Sequence, residues 1–173
     1  MVIGIDIDDT ITETTLSALE HLAKYNCKVL DHHNLSNNDY DEFMELYIKS
    51  IMKKANLKVG VRDAFKYLNN SGYKIIIITA RNNKYSSEVL RITKEYLQHN
   101  DLKYDTIVFD KEKKGECAKR LGVNIFVDDK EIVLDDISKY GIECIRITDD
   151  KNSKYKIFSN WNDIINYLKS KEG

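Results

Sequence analysis

The chain of 173 residues has few of the features that mark disulfide-rich, fibrous or membrane proteins. Its three cysteines, Cys27, Cys117 and Cys144, are widely spaced and form no CxxC pair. This spacing argues against a disulfide framework or a structural zinc site, and it favours a reduced, cytoplasmic setting. The absence of proline accompanies a bias toward lysine, isoleucine and asparagine, which we interpret as coding background rather than function.

Long apolar runs and an excess of one charge are missing as well. The longest strongly apolar run covers residues 75–78, whereas a membrane-spanning helix needs ~20 apolar residues. The first ten residues lack the basic region of a secretory signal. Because 27 basic and 28 acidic residues give a net charge of −1, nothing indicates a general attraction to nucleic acid or to an anionic membrane. We therefore expect neither as a partner.

The sequence has an ordinary globular balance, with 42% hydrophobic and 32% charged residues. Five short runs rich in isoleucine and valine hardly alternate, which is typical of parallel strands buried on both faces. They cover residues 2–5, 73–78, 106–109, 125–127 and 142–147. Helical periodicity follows at 62–70, 86–99, 115–121 and 131–140, and in a last helix from Ser159, a candidate N-cap, to residue 169. The alternation predicts an α/β fold with a doubly wound parallel sheet.

Residues 13–59 interrupt this alternation. Two helical stretches, at about 14–25 and 40–55, follow the first strand with no strand between them, and the polar linker 31–39 joins them. We interpret this segment as a small helical cap inserted after the first strand. Residues 1–12 and 60–173 are then expected to form the α/β core.

Polar side chains follow three of the predicted strands, at the edge where ligands of open α/β sheets bind. Asp6 and Asp8 end the first strand and project to the same side, because they are two residues apart in extended chain. Thr79 follows the second strand, and Asp128 and Asp129 follow a later one. Carboxylates that converge from two strands form a hard oxygen site that suits Mg²⁺, which also accepts phosphate oxygens as ligands.

The remaining polar groups suit phosphoryl transfer. A hydroxyl at Thr79 and an ammonium at Lys114 can hold phosphate oxygens while charge redistributes. A second carboxylate at Asp8 can protonate the leaving oxygen and then accept a proton from water. Lys113, the neighbouring residue, stays an alternative to Lys114.

The segments DIDDTIT, IIIITAR, a lysine before a helix, and IFVDD occur in this order along the chain. They resemble the four motifs of phosphohydrolases of the haloacid dehalogenase (HAD) superfamily, and the inserted helices resemble its small C1-type cap. The TAR and VDD segments and FSNWNDII resemble most the bacterial 5′(3′)-deoxyribonucleotidases. Asp9 departs from the common pattern, which has glycine after the second aspartate.

This resemblance implies roles for the acidic residues. Asp6 would be the nucleophile that forms an aspartyl-phosphate, and it would also bind Mg²⁺. Asp8 would be the general acid/base, with its backbone carbonyl on the metal. Asp128 would be the third protein ligand of Mg²⁺. Asp129 would orient a metal-bound water or bind the metal directly, although it could instead cap the helix that follows.

The resemblance also implies a phosphate site, at which Thr79, the Ala80 amide and Lys114 bind the transferring phosphoryl group. Arg81 and its neighbour in the following loop are expected either to touch substrate or to form a surface salt bridge. Tyr47 in the second cap helix is our first choice for a residue that lines the substrate side.

His32 and His33 lie in the polar linker of the cap, where a solvated loop is favoured over a metal site.

The sequence therefore predicts a Mg²⁺-dependent hydrolase of a small phosphorylated metabolite, with a nucleoside monophosphate as the expected substrate. Sugar phosphates and polynucleotide ends are alternatives. A response-regulator receiver uses similar residues, but its acidic pair comes first and its phospho-accepting aspartate stands alone on a middle strand, so the order differs. The remaining hypothesis is a HAD-like binding protein without catalytic activity.

Overall fold

The computed structural model describes residues 1–26 and 28–172, and six parallel strands in this part of the chain form one sheet. The strands are β1 (Val2–Ile5), β2 (Lys74–Ile78), β3 (Thr106–Val108), β4 (Ile125–Asp128), β5 (Glu143–Ile147) and β6 (Lys156–Phe158). Their order is β3-β2-β1-β4-β5-β6. The chain therefore starts in the middle of the sheet and winds outward in both directions, which confirms the doubly wound fold.

Seven α-helices connect or flank these strands in the described residues. They are α1 (Thr14–Tyr25), α2 (Asn37–Lys54), α3 (Val61–Asn70), α4 (Val89–His99), α5 (Gly115–Arg120), α6 (Glu131–Ser138) and α7 (Trp161–Glu172). A single 3₁₀ turn (His32–Asn34) lies in the linker between α1 and α2. None of the helices in this part of the chain has the length and apolar character that crossing a membrane requires.

The isoleucine-rich strands divide their side chains between two cores. In β2, Ile75 and Ile77 join the core against α3 and α7, whereas Ile76 and Ile78 join the core against α5 and α6. Because successive side chains point to opposite faces and both faces are covered, all four of these positions are apolar. This is the physical reason why the strands show almost no alternation.

Some predicted boundaries were wrong. The second cap helix begins at Asn37 rather than near residue 40, because the Ser36 hydroxyl accepts a hydrogen bond from Asp39 N at 3.2 Å and caps the helix. The last helix is capped by Asn160, whose side chain accepts from Asp163 N at 3.1 Å, and not by Ser159. The short edge strand β6 was not predicted, since it has one exposed and two partly buried residues.

The helical insertion after β1 is present. Helices α1 and α2 share an apolar cluster that includes Leu22, Phe43 and Ile51. The buried ring of His21 bridges them, with one nitrogen 2.7 Å from Ser17 O and the other 2.8 Å from Ser50 Oγ. The division into a cap at residues 13–59 and a core at residues 1–12 and 60–173 stays a prediction.

Two of the three cysteines fall in the described residues. Cys117 and Cys144 are both free and buried, whereas Cys27 lies outside the described residues. Burial raises the pKa of the Cys144 thiol to about 12. This thiol therefore stays protonated and unreactive at neutral pH.

Trp161 connects the last helix to the loop that follows the first strand. Its ring is fully buried in the core beneath β1. Its indole N–H donates to the carbonyl of Thr10 at 2.8 Å. One residue thus fixes the backbone directly after Asp8 and Asp9 against α7.

We predict that Trp161→Phe lowers the free energy of unfolding by about 2–4 kcal/mol, because it leaves a buried carbonyl without its donor and opens a cavity. Urea unfolding followed by circular dichroism measures the change. Tyr140 is more exposed than Trp161, so Tyr140→Phe is the control and should change the free energy of unfolding by less than about 0.5 kcal/mol. Equal effects of the two substitutions would contradict this role of Trp161.

Candidate active site

The order of the strands brings the predicted polar residues to one place. β1 lies between β2 and β4, so Asp6 leaves the sheet between Thr79 and Asp128. Backbone hydrogen bonds extend the ladder past the strand ends, from Asp6 N to Val127 O at 3.1 Å and from Thr79 N to Val108 O at 3.0 Å. The three side chains are nearly inaccessible, at 6%, 0% and 1% exposure for Asp6, Thr79 and Asp128.

Lys114 links the two buried carboxylates. Its ammonium donates to Asp6 Oδ1 at 2.6 Å and to Asp128 Oδ2 at 2.8 Å, and the residue is only 3% exposed. Lys113, the sequence alternative, is exposed. Burial by itself would lower the pKa of Lys114, but the charges of Asp6 and Asp128 outweigh it and raise that pKa above its usual value. The ammonium is therefore permanently charged.

A close approach of two helices sets the position of Lys114. Gly115, the first residue of α5, lies against α6: a Cβ there would come within 2.5 Å of the Tyr140 ring and 2.6 Å of the Asp136 carbonyl oxygen. Its backbone N–H donates to Asp136 Oδ2 at 2.8 Å. Only glycine permits this contact without a shift of the backbone, so the residue after the lysine is as restricted as the lysine itself.

Asp129 adds a third carboxylate to the group. One oxygen each from Asp6, Asp128 and Asp129 lie within 4.8 Å of one another. Asp129 Oδ1 is buried and makes no hydrogen bond within the described part of the chain. Burial raises the pKa of Asp6 to about 7 despite Lys114, and burial with the charge of Asp128 raises the pKa of Asp129 to about 8.

One ammonium does not neutralise three carboxylates. The excess negative charge and the unpartnered oxygen fit a hard divalent cation, for which carboxylate oxygens are the preferred ligands. Asp6, Asp128 and Asp129 are therefore the side chains that could hold a metal at this edge of the sheet.

The carboxylate of Asp8 points away from this group, toward Arg81. Arg81 Nη2 donates to Asp8 Oδ1 at 2.7 Å and Nε donates to Oδ2 at 3.1 Å, while Thr14 Oγ1 donates to Oδ1 at 2.7 Å. Burial would raise the pKa of Asp8, but the Arg81 guanidinium and these hydrogen bonds hold it below its usual value. The Asp8 side chain keeps 33% of its surface exposed.

Arg81 forms a salt bridge, but the expectation that this bridge lies at the surface was wrong, whereas contact of Arg81 with substrate stays a prediction. Its side chain is 2% exposed, so the ion pair with Asp8 is a buried one rather than a surface salt bridge. Arg81 Nη1 also donates to Thr93 Oγ1 at 3.0 Å, which anchors the guanidinium to α4. The arginine thereby fixes the orientation of Asp8.

A cavity of about 250 Å³ lies between the insertion and the carboxyl edge of the sheet. Its core side includes Asp8, Ala80 and Arg81, and its other walls include Tyr40 and Tyr85. Two larger open clefts lie elsewhere on the surface and contain none of the predicted site residues. The smaller cavity contains Asp8 and Arg81, whereas Asp6, Thr79 and Lys114 are not among its lining residues.

Tyr47 lies elsewhere. Its ring packs against His21, Tyr25 and Phe43 between α1 and α2. The cavity wall is instead formed by the stripe Tyr40, Met44, Ile48 and Met52, together with His32, His33 and Tyr85. The spacing of four residues from Tyr40 to Met52 was the sequence signal for this face, since such positions share one side of a helix.

No family model and no curated protein sequence matches the chain. Solved structures are similar over nearly the whole length. A haloacid dehalogenase-like hydrolase from Streptococcus pneumoniae is 15% identical with a TM-score of 0.68, over 96% of this chain and 97% of that chain. The chain has the haloacid dehalogenase fold.

Two further structures with the HAD fold support the same conclusion. A predicted phosphatase from Clostridium acetobutylicum is 16% identical with a TM-score of 0.69, over 98% of both chains. A predicted phosphoglycolate phosphatase from Haemophilus somnus is 16% identical with a TM-score of 0.65, over 96% of this chain and 97% of that chain. At such identities the likeness is one of fold, and a fold does not by itself carry an activity.

We predict that Lys114→Met lowers the free energy of unfolding by about 3–5 kcal/mol in the presence of EDTA, because it leaves two buried carboxylates without their cation. Urea unfolding measures this change. The exposed neighbour provides a matched control, since Lys113→Met should cost less than about 0.5 kcal/mol. A loss of similar size in both variants would show that the buried ion pairs do not determine the stability of the site.

Proposed function

We propose that the chain is a Mg²⁺-dependent phosphomonoester hydrolase that acts through an aspartyl-phosphate on Asp6. The observation that carries this proposal is the buried group of Asp6, Lys114, Asp128 and Asp129 at the carboxyl edge of β1 and β4. It combines a nucleophile, a fixed cation and unneutralised oxygen ligands in one place. The HAD fold supports the same chemistry by analogy.

The donor set fits Mg²⁺. The carboxylates of Asp6, Asp128 and Asp129 would hold it, with the backbone carbonyl of Asp8 as a further ligand that the family resemblance implies. When bound, Mg²⁺ would supply positive charge that reduces the repulsion between an anionic nucleophile and a phosphate dianion. Lys114 supplies a second, permanent positive charge from this chain itself.

In the first step, an oxygen of Asp6 attacks phosphorus and the bond from phosphorus to the ester oxygen breaks. Thr79, the Ala80 amide and Lys114 bind the phosphoryl oxygens as charge moves onto them. The leaving oxygen takes a proton from Asp8. In the second step, water attacks the phosphorus of the aspartyl-phosphate, gives its proton to Asp8 and releases phosphate with Asp6 restored.

The environment of Asp8 bears on these two proton transfers in different ways. The ion pair with Arg81 favours the carboxylate, which is the form that accepts a proton from water. Donation to the leaving oxygen requires Asp8 to carry the proton that it takes from water in the second step of the preceding turnover, and to turn from Arg81 and Thr14 toward the substrate. Catalytic hydrogen bonds often form only in the complex with substrate.

A nucleoside monophosphate is the substrate that we propose. The planar rings of Tyr40, Tyr85 and His33 line the cavity opposite the core residues, and aromatic faces bind nucleobases by stacking. The rings of Tyr40 and His33 are nearly parallel, with an interplanar angle of 18°. The cavity has a volume of about 250 Å³, just below the usual range of small-ligand pockets.

The test is phosphate release with Mg²⁺ across 5′- and 3′-(deoxy)nucleoside monophosphates, sugar phosphates and a 3′-phosphorylated oligonucleotide. We expect selective turnover of nucleoside monophosphates that EDTA abolishes. Asp6→Asn should lower kcat by at least about 10³-fold while the fold is kept, because the amide is not a nucleophile.

Preference for sugar phosphates or oligonucleotide ends would keep the mechanism and reject the proposed substrate class. Wild-type activity in Asp6→Asn would reject the mechanism. An absence of turnover on every ester, in folded protein that binds Mg²⁺, would favour a binding or regulatory role.

A second prediction concerns the leaving group. Asp8→Asn should lower the rate of alcohol release in the first turnover by about 10²–10⁴-fold for alkyl phosphates, and it should lower release from p-nitrophenyl phosphate, whose leaving group needs no proton, much less. Asp9→Asn is the matched control, because its φ of 55° is one that asparagine tolerates well and we place Asp9 outside the machinery. Equal losses on both substrates would contradict a proton-donor role for Asp8.

A further inference from the structure

Three consecutive residues of the insertion bring together two imidazoles and a carboxylate. One donor atom each from Asp31, His32 and His33 lie within 4.8 Å of one another. The 3₁₀ turn that begins at His32 produces this arrangement, and the backbone N–H of His33 donates to Asp31 Oδ1 at 2.9 Å. The carboxylate is thus oriented toward the rings by the main chain.

His32 differs from the solvated linker residue that the sequence suggested. It is only 6% exposed. Its Nδ1 atom is buried and has no hydrogen-bond partner in the described residues. A buried ring nitrogen without a partner is costly to leave unsatisfied, so this atom requires an explanation that packing alone does not supply.

The spacing of the donor atoms matches a coordination polyhedron. His32 Nδ1 lies 3.5 Å from Asp31 Oδ1, which is too long for a hydrogen bond. Two ligands of a tetrahedral zinc ion, with bonds near 2.1 Å, are separated by about 3.4 Å. The distance between His32 Nδ1 and Asp31 Oδ1 therefore already matches the distance between two ligands of a tetrahedral zinc ion.

We infer that Asp31, His32 and His33 form a second metal site, which takes a borderline transition-metal ion such as Zn²⁺. Two imidazoles and one carboxylate form a ligand set that zinc uses when it keeps an open fourth position. Mg²⁺ is a poor match for this set, because it prefers oxygen ligands alone. The site is thus chemically distinct from the carboxylate group at Asp6.

The charges around His32 are compatible with a bound cation. The near-complete burial of His32 disfavours a charged ring, and a metal ligand must be a neutral imidazole. Of the nearby charged groups, Asp31 and Asp9 favour a cation and Lys130 opposes it. Both histidines also line the cavity that Asp8 and Arg81 face.

That location gives the site a consequence for ligand binding. An ion held on the insertion by three protein ligands would direct its open position toward the cavity or its mouth. It could then accept a nitrogen or oxygen atom of a molecule bound there. Zinc in this site would therefore couple the 3₁₀ turn to the cavity without contact with Asp6.

The experiment is a calorimetric titration of the metal-free full chain with Zn²⁺, in excess Mg²⁺ so that the carboxylate group is occupied. We expect one equivalent of Zn²⁺ to bind. His33→Ala and Asp31→Asn should each weaken the association by at least about 10-fold. His33 is exposed and the Asp31 side chain is 49% exposed, and asparagine preserves the acceptor for His33 N, so the fold should be retained.

Two further variants make the result specific. Asp6→Asn should leave this Zn²⁺ equivalent intact, and His99→Ala, at an exposed histidine of α4, should not change its affinity. Co²⁺ in place of Zn²⁺ should give the visible absorption of a four-coordinate ion, and His33→Ala should lose it. Absence of Zn²⁺ binding in excess Mg²⁺, or binding lost in Asp6→Asn and kept in His33→Ala, would overturn the inference.

Discussion

The ammonium of Lys114 is the group on which the arrangement of this site depends. Neighbouring strands β1 and β4 each end in a carboxylate that is almost completely buried, and burial of an unpaired charge costs several kcal/mol. The two hydrogen bonds from Lys114 offset that cost. They require α5 to start directly above the sheet, which in turn requires the close contact of Gly115 with α6. The position of the Lys114 ammonium and the close packing of Gly115 on α6 are therefore fixed together.

Lys114 neutralises the buried carboxylates only in part, and the remaining negative charge suits the function that we propose. Lys114 leaves Asp129 Oδ1 without a hydrogen-bond partner in the described part of the chain, and it leaves Asp6 with a pKa raised to about 7 by burial. Asp8, two residues from Asp6, is held in the opposite condition by Arg81 and Thr14. Active sites in which two neighbouring carboxylates have different roles often give the two groups different environments, and therefore different pKa values. In the function that we propose, one aspartate bonds to phosphorus while the other transfers protons.

Much of the fold and of the candidate site was predictable from the sequence, because both depend on local sequence patterns. Residues that follow apolar runs lie at strand ends, so Asp6, Thr79 and Asp128 were brought together as expected, and the helical insertion after β1 was predicted. The partner of Arg81 was not predicted, because Asp8 lies 73 residues away and pairing over that distance depends on the assembled sheet. The burial of His32 likewise depends on its packing against Phe43. Tyr47 was chosen by residue type, whereas the periodicity of α2 favours Tyr40.

The covalent intermediate is the most direct test of the account. Protein with Mg²⁺ and substrate would be quenched in acid within one turnover, and intact mass with borohydride reduction and peptide sequencing would locate any acyl phosphate. With p-nitrophenyl phosphate, whose leaving group needs no proton, Asp8→Asn should increase the amount trapped, because loss of the base slows the attack of water. The account predicts one phosphoryl group, located on Asp6. A phosphoryl group on another residue, or rapid turnover with none trapped on Asp6 in either protein, would contradict it.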